Sequence, residues 1–297
     1  MTPFGDGAGA RQLAWDGVFF PAPPDWDLSL YETRDGVTSL VFEDPVDVKL
    51  ELDFTEAGSE AHRRRFLRRC KAVESGLERA GRDAERVGTG LPAWWSARRY
   101  RMEDGGTLLT ALHAGRRFPI LAHARFHGRR EEEPRLMETA RMLLDGFGFQ
   151  ADGAAPWRVF DIAVRVPRRF RLAATSFLAG RKMMGFECRM RRLFLWRLSL
   201  ADRLLKDEPA PVVVARFLSR CKELSGVRFE ADGAGGVAAR RSPWHPFGHS
   251  GEIGRWCFRY HVAFTADTNR NALVLLVFHY RDVRDLDWIR DVVLVED

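Results

Sequence analysis

Pro23-Pro24-Asp25-Trp26-Asp27-Leu28 returns 144 residues later as Pro167-Arg168-Arg169-Phe170-Arg171-Leu172, and this pair decides how the chain is read. Each segment closes an apolar run with a proline, then sets an aromatic residue and a leucine two positions apart. Phe42-Glu43 matches Phe186-Glu187 at the same offset, and Leu50 and Leu52 fall opposite Phe194 and Trp196. Arg65-Phe66-Leu67-Arg68-Arg69-Cys70-Lys71 and Arg216-Phe217-Leu218-Ser219-Arg220-Cys221-Lys222 agree at six of seven positions, at an offset of 151. Arg99-Tyr100 aligns with Arg259-Tyr260 at 160, and Phe126-His127 with Phe278-His279 at 152. Order is kept while the offset drifts, as it does when loops absorb length. The expected organisation is an N-terminal tail (1–14) and two copies of one fold, 15–150 and 155–297.

Hydrophobic periodicity assigns the elements. Trp15–Phe20 and Trp157–Val166 read as strands ending at a proline. In Val48–Phe54, Val48, Leu50, Leu52 and Phe54 share one face, and Lys49, Glu51 and Asp53 the other. Its counterpart, Arg192–Leu200, is apolar on both faces and predicts a strand buried twice over. Ser59 is a candidate N-cap for a helix over His62–Arg79 with Phe66, Cys70 and Val73 on one stripe. The second copy predicts helices over Val212–Leu224 and Asp285–Val295, and Pro134 opens the closing helix of the first. Strands joined mostly by turns, with helices inserted at two points, predict an α+β fold. Each copy is then a mostly antiparallel sheet packed with helices. The connector from Phe149 to Pro156 is short, so the copies are expected to pack on each other.

A strand ending in Pro-x-x-Trp/Phe-x-Leu, further strands, a helix, a strand trio and a final helix resembles the PsbP/Mog-like superfamily. That group includes the DcrB-like bacterial branch and the Eag-type secretion-effector chaperones. The resemblance covers both copies and carries no catalytic signature. It implies a non-enzymatic accessory protein that holds a protein partner.

Composition bounds the rest. The chain has 297 residues, 45% hydrophobic and 30% charged, which excludes disordered and collagen-like classes. Four dispersed cysteines do not make a disulfide framework. The N-terminus lacks an apolar signal region and the longest apolar run, Ala272–Phe278, is too short to span a bilayer. A cytoplasmic, soluble protein is expected. Only five of 47 basic residues are lysines, an arginine bias better explained by codon usage than by phosphate binding. Yet residues 1–150 carry a net −2 and residues 151–297 a net +8, so the halves present different surfaces.

No His-Glu-x-x-His, Gly-x-Ser-x-Gly, P-loop or Cys-x-x-Cys is present, so no catalytic residue, metal or cofactor is expected. Gly88-Thr89-Gly90-Leu91-Pro92-Ala93 sits between helix and strand, the reverse of a dinucleotide fingerprint. His123 and His127 fall on one strand face about 13 Å apart, too far for one metal. Cys257 and His261 are likewise too distant for a nucleophile–base pair. The lengthened loop Ser242–Gly251 carries Trp244, His245, Phe247 and His249, a candidate recognition loop for a protein partner. Arg168, Arg169, Arg191 and Arg192 head a basic stretch over 158–206, the second candidate surface. That stretch keeps nucleic acid open as an alternative partner, and an enzyme with a site between the copies is the remaining alternative.

Overall fold

The computed structural model describes residues 10–79, 84–87, 91–102, 105–115, 118–240 and 248–294. The chain forms two compact units, Met1–Ala163 and Val164–Asp297. In unit 1, β1 (Arg11–Trp15) and β2 (Val18–Ala22) form a hairpin rather than one strand over Trp15–Phe20. The cause is Asp16-Gly17, whose φ values of 49° and 87° make the tight turn whose twist matches antiparallel strands. Most of β1 thus lies inside the expected tail, 1–14. There follow β3 (Asp27–Arg34), β4 (Val37–Glu43), β5 (Val48–Glu56), α1 (Glu60–Arg79), β6 (Ala84–Val87), β7 (Trp95–Arg101), β8 (Gly106–His113), β9 (Ile120–Arg129), α2 (Glu133–Gly146), β10 (Gly148–Phe149) and β11 (Ala154–Val159). The main sheet is antiparallel, in the order β3-β4-β5-β9-β8-β7-β6.

One face of that sheet carries Phe42, Leu50, Leu52, Phe126 and Leu109, all buried. Phe20 of β2 meets Phe42 edge-on at 5.6 Å, and α2 turns Leu136, Ala140, Leu143 and Leu144 inward. Trp95 fastens the end of α2 by donating from Nε1 to the Leu144 carbonyl at 3.2 Å. The other face lies under α1. Ser59 caps this helix, accepting from the His62 N–H at 3.2 Å, but Phe66 and Cys70 are its only buried residues.

Unit 2 holds β12 (Ile162–Pro167), which begins just ahead of the boundary, then β13 (Arg171–Leu178), β14 (Arg181–Cys188), β15 (Arg191–Ser199), α3 (Ala201–Leu204) and α4 (Ala210–Leu218). After these come β16 (Arg228–Ala231), β17 (Val237–Arg240), α5 (Ser250–Arg255), β18 (Arg259–Asp267), β19 (Ala272–Tyr280), a 3-10 turn (Val283–Trp288) and β20 (Val293–Leu294). The main sheet runs β13-β14-β15-β19-β18, and β16 pairs with β17. An α+β architecture of antiparallel sheets and few helices describes both units.

Strand register allows the two main sheets to be compared position by position. β3 and β4 slip register between Leu28 and Leu30, β13 and β14 between Leu172 and Ala174, which is the same bulge 144 residues on. Phe42, Leu50 and Phe126 form one cross-strand row in unit 1; Phe186, Leu193 and Phe278 form it in unit 2. Leu50 therefore corresponds to Leu193, not Phe194, because the β4–β5 connection holds one residue more. Tyr100 and Tyr260 are not equivalent either. Tyr100 lies on β7, two strands from β9, whereas Tyr260 lies on β18 beside β19. By register Tyr260 corresponds to Leu108 at an offset of 152, so between helix and strand unit 2 gains one residue rather than the nine expected from Tyr100, and α5 falls within that stretch.

Two expected helices are shorter than periodicity suggests. α4 stops at Leu218, leaving Cys221 beyond its end. The single difference between the two seven-residue segments, Ser219 in place of Arg68, supplies the reason. Ser219 Oγ accepts from the Phe229 N–H at 2.8 Å, which ties β16 to the helix end. The described part of the expected helix over Asp285–Val295 holds the end of a 3-10 turn and β20 instead of an α-helix: the Asp282 carboxylate caps that turn and accepts from the Arg284 N–H at 2.9 Å.

β15 is buried on both faces, as Leu193, Phe194, Leu195, Trp196 and Leu198 attest. Phe194 and Trp196 stack at 5.3 Å within a cluster containing Val214 and Leu218 of α4, Leu275 and Val277. The chain itself covers this strand, which removes it as a partner surface.

Candidate functional site

Of the residues singled out in the sequence, Trp244, His245 and Phe247 lie outside the described residues. His249 precedes α5, and Glu252 accepts from its N–H at 3.0 Å. Its ring rests against Gly226, where a Cβ would come within 2.6 Å of Nδ1.

The arginines separate. Arg192 turns to Glu187 at 2.8 Å, and Glu187 also takes Arg255 at 3.0 Å. Arg169 and Arg191 converge with Arg189 of the same basic stretch on the half-buried ring of Trp288. Their guanidinium carbons lie 5.4, 4.9 and 6.0 Å from its centroid. Arg191 is further fixed by Asp285, through Nε at 3.1 Å and Nη2 at 3.0 Å. Burial pushes the Asp285 carboxyl up. Hydrogen bonds from Arg191 and from the N–H groups of Asp282 and Arg281 outweigh it and hold the group below its ordinary value.

Three segments meet at this end of unit 2. The Arg189-Met190 turn touches the segment after α5, since Cys257 Sγ lies 3.5 Å from the Met190 carbonyl. Arg281, at the end of β19, places its guanidinium 5.9 Å from the ring of Trp256. Trp256 is 61% exposed, and Met190, Val283 and Ile253 are exposed beside these segments. The result is an amphipathic surface: guanidinium groups over indoles, with apolar side chains open to water. Sequence reading missed Trp256 and Trp288 because neither belongs to a motif; only the turns that carry them bring them together.

Unit 1 hides a second polar assembly between its sheet and α1. Arg125 of β9 donates to Asp53 at 2.9 Å and to Glu51 at 2.6 Å. His127 donates from Nε2 to Glu51 at 2.8 Å. Asp53, 3% exposed, also accepts from Ser39 Oγ at 2.5 Å and from Arg69 of α1 at 3.4 Å. The hydrogen bond from His127 and the charge of Arg125 outweigh burial and hold the Glu51 carboxyl at about 2. His123 is fully buried, with Arg125 3.4 Å from its Nδ1. Burial, then the nearby Arg125 charge, lowers its pKa to about 4. Among the described residues nothing bonds its Nε2.

Three of the four cysteines are poor nucleophiles. Burial raises Cys70 and Cys221 to about 12 and raises Cys257 as well. Cys257 precedes β18, so it does not share a strand with His261. Among the described residues no group of three His, Cys, Asp or Glu is placed to hold a metal ion, and no helix is long and apolar enough to cross a membrane.

No family model and no curated protein matches the chain. Among solved structures it is similar to cyanobacterial PsbP (CyanoP) from Synechocystis sp. PCC 6803. Identity is 16%, with 50% of this chain and 99% of that one covered, at a TM-score of 0.31.

Proposed function

We propose that this chain is a non-catalytic accessory protein that binds a protein partner through the end of unit 2 where Trp256 stands exposed. The carrying observation is that Trp256, 61% exposed, has the Arg281 guanidinium 5.9 Å from its ring and directly precedes Cys257, which contacts the Met190 carbonyl, on the same unit as the Arg169/Arg189/Arg191 stack on Trp288. Tryptophan, methionine and arginine are the residues enriched at the energetic centres of interfaces. Unit 2 carries 24 basic against 15 acidic residues, so the complementary segment of the partner is acidic with apolar positions. Arg168, Arg192 and His249, named from the sequence, belong to the same proposed surface; Trp244, His245 and Phe247 lie outside the described residues.

The reading favours protein over nucleic acid because exposed Asp282 and Asp287 interrupt the patch and would repel a phosphate backbone. Two units of one ancestral fold, the copies read as 15–150 and 155–297, complete the proposal. The shared bulge and the shared cross-strand rows support it.

A photo-crosslinking residue at position 256 or 190, introduced in the native cell, tests the reading. A discrete protein adduct that is absent with the label at exposed Leu178 supports it. The same adducts from all three positions, or adducts removed by nuclease, would count against it.

A further inference from the structure

The polar layer of unit 1 leaves a cavity of about 370 Å³ between α1 and the sheet. Its walls are Glu51, Asp53, Arg125 and His127 of the sheet, Arg69, Val73 and Leu77 of α1, and Met102 and Leu108. Through Met102, Leu108 and His127 it adjoins a wider cleft of about 890 Å³ that includes Lys49, Arg129 and Arg130. Cavities of this size are the usual volume of small-molecule sites.

Unit 2 uses the corresponding positions differently. By strand register, Phe194 stands for Glu51, Trp196 for Asp53, Val277 for Arg125 and Tyr260 for Leu108. Those large side chains pack as core against α4 and its surroundings. An apolar filling is therefore attainable in this strand arrangement, and buried ion pairs are weak contributors to stability beside well-packed apolar residues. Unit 1 keeps short polar groups and open space instead.

The hydrogen-bond inventory points to what would fit. All four oxygens of Glu51 and Asp53 already accept, from His127, Arg125, Ser39 and Arg69. Both terminal nitrogens of Arg125 are committed to those carboxylates. Arg69 differs. It is 46% exposed and engages only through Nη2, at 3.3 Å to Ser39 and 3.4 Å to Asp53. Among the described residues, its Nε and Nη1 make no hydrogen bond. Unspent capacity at the cavity is thus guanidinium N–H on Nε and Nη1, charge-assisted donors that suit a carboxylate oxygen. Four apolar side chains form the remaining wall. A cation would meet carboxylates already occupied, and a dianion would sit against Glu51 and Asp53.

We propose that this cavity binds a small organic monocarboxylate with an apolar body. Its carboxylate lies on Arg69 and its body lies against Val73, Leu77, Met102 and Leu108. The site belongs to unit 1 alone and stands or falls independently of the partner surface on unit 2.

Three probes of one shape and different head charge test it: 3-phenylpropanoate, 3-phenylpropanamide and 3-phenylpropylamine, titrated calorimetrically into the full chain at pH 7. The acid is expected to saturate one site per chain, the amide to bind at least tenfold more weakly and the amine to give no saturable heat. Arg69→Gln should bring the acid down to the amide's affinity, with an unchanged circular dichroism spectrum. Val73→Trp, which fills the cavity from α1, should abolish binding of both. Equal affinity for acid and amide, preference for the amine, or no saturable heat from any probe would each overturn the proposal. So would an acid affinity untouched by both variants.

Discussion

Asp53 of β5 and Trp196 of β15 stand at matching register positions, each three residues beyond the leucine that pairs with the β9 or β19 phenylalanine. Both are almost completely buried, one as an ion-paired carboxylate and one as core. Their removal should therefore fail for different reasons. Trp196→Ala leaves a void in a packed cluster, at a cost of about 3–5 kcal/mol. Asp53→Ala leaves Arg125 buried with one carboxylate instead of two, about 3 kcal/mol. Denaturant unfolding of both variants measures the costs. A loss under about 1 kcal/mol for Trp196→Ala would contradict the packing described.

Acidification should destabilise unit 1 in two stages. His123 has its folded pKa lowered to about 4, so the unfolded chain binds the proton first. Its contribution is full above the ordinary histidine value near 6.5 and disappears as pH falls to about 4. Glu51, held at about 2, contributes above its ordinary 4.5 and loses that contribution as pH falls towards 2. Unfolding free energy measured from pH 7 to 3 should fall throughout. In His123→Leu, the part of the fall between about 6.5 and 4 should shrink. His261 and His279, also lowered by burial, keep some slope in that window in both proteins. Identical slopes in the variant and the parent would show that His123 is not buried neutral.

Thiol chemistry offers a check on burial across both units. Cys70, Cys221 and Cys257 are buried with raised pKa values, whereas Cys188 is half-buried. An Ellman titration at pH 8 should find at most one fast-reacting thiol in the native protein and four after unfolding. Rapid labelling at two or more native thiols would contradict the burial.

What could be read in advance followed from local chemistry. The Pro-x-x-Trp/Phe-x-Leu step, the alternation of Val48–Phe54 and the Ser59 cap each act within a few residues, and the structure places strands and helix there. What escaped depended on partners far along the chain. The polar face of β5 is not a solvated face, because Arg125, 72 residues beyond Asp53, meets it under α1. The end of α4 required Phe229 to reach Ser219. The Asp16-Gly17 turn was legible as a hairpin signal and was passed over in favour of a continuous apolar run. The proposed surface is half legible: Arg169 and Arg191 stand out by charge, but Trp288 comes under them, and Trp256 under Arg281, only through tertiary packing.

Trp256 and Asp285 provide the sharpest separation of function from stability on that surface. Trp256 sits at the end of α5 with φ of 53°, a conformation unfavourable for a bulky side chain, and is 61% exposed. Burying so little area, Trp256→Ala should change unfolding free energy by no more than about 0.5 kcal/mol. Trp256→Gly, which relieves the backbone, should leave the protein at least as stable. Asp285 is the reverse: 4% exposed, it receives two bonds from Arg191 and two from backbone N–H groups. Asp285→Ala should cost about 3 kcal/mol by leaving those donors and a guanidinium unanswered. If the proposed docking surface is correct, Trp256→Ala abolishes the crosslink from position 190 while the thermal midpoint stays at its parent value. A crosslink retained in Trp256→Ala, in a protein of unchanged stability, would remove Trp256 from the interface and leave the arginine stack to account for binding.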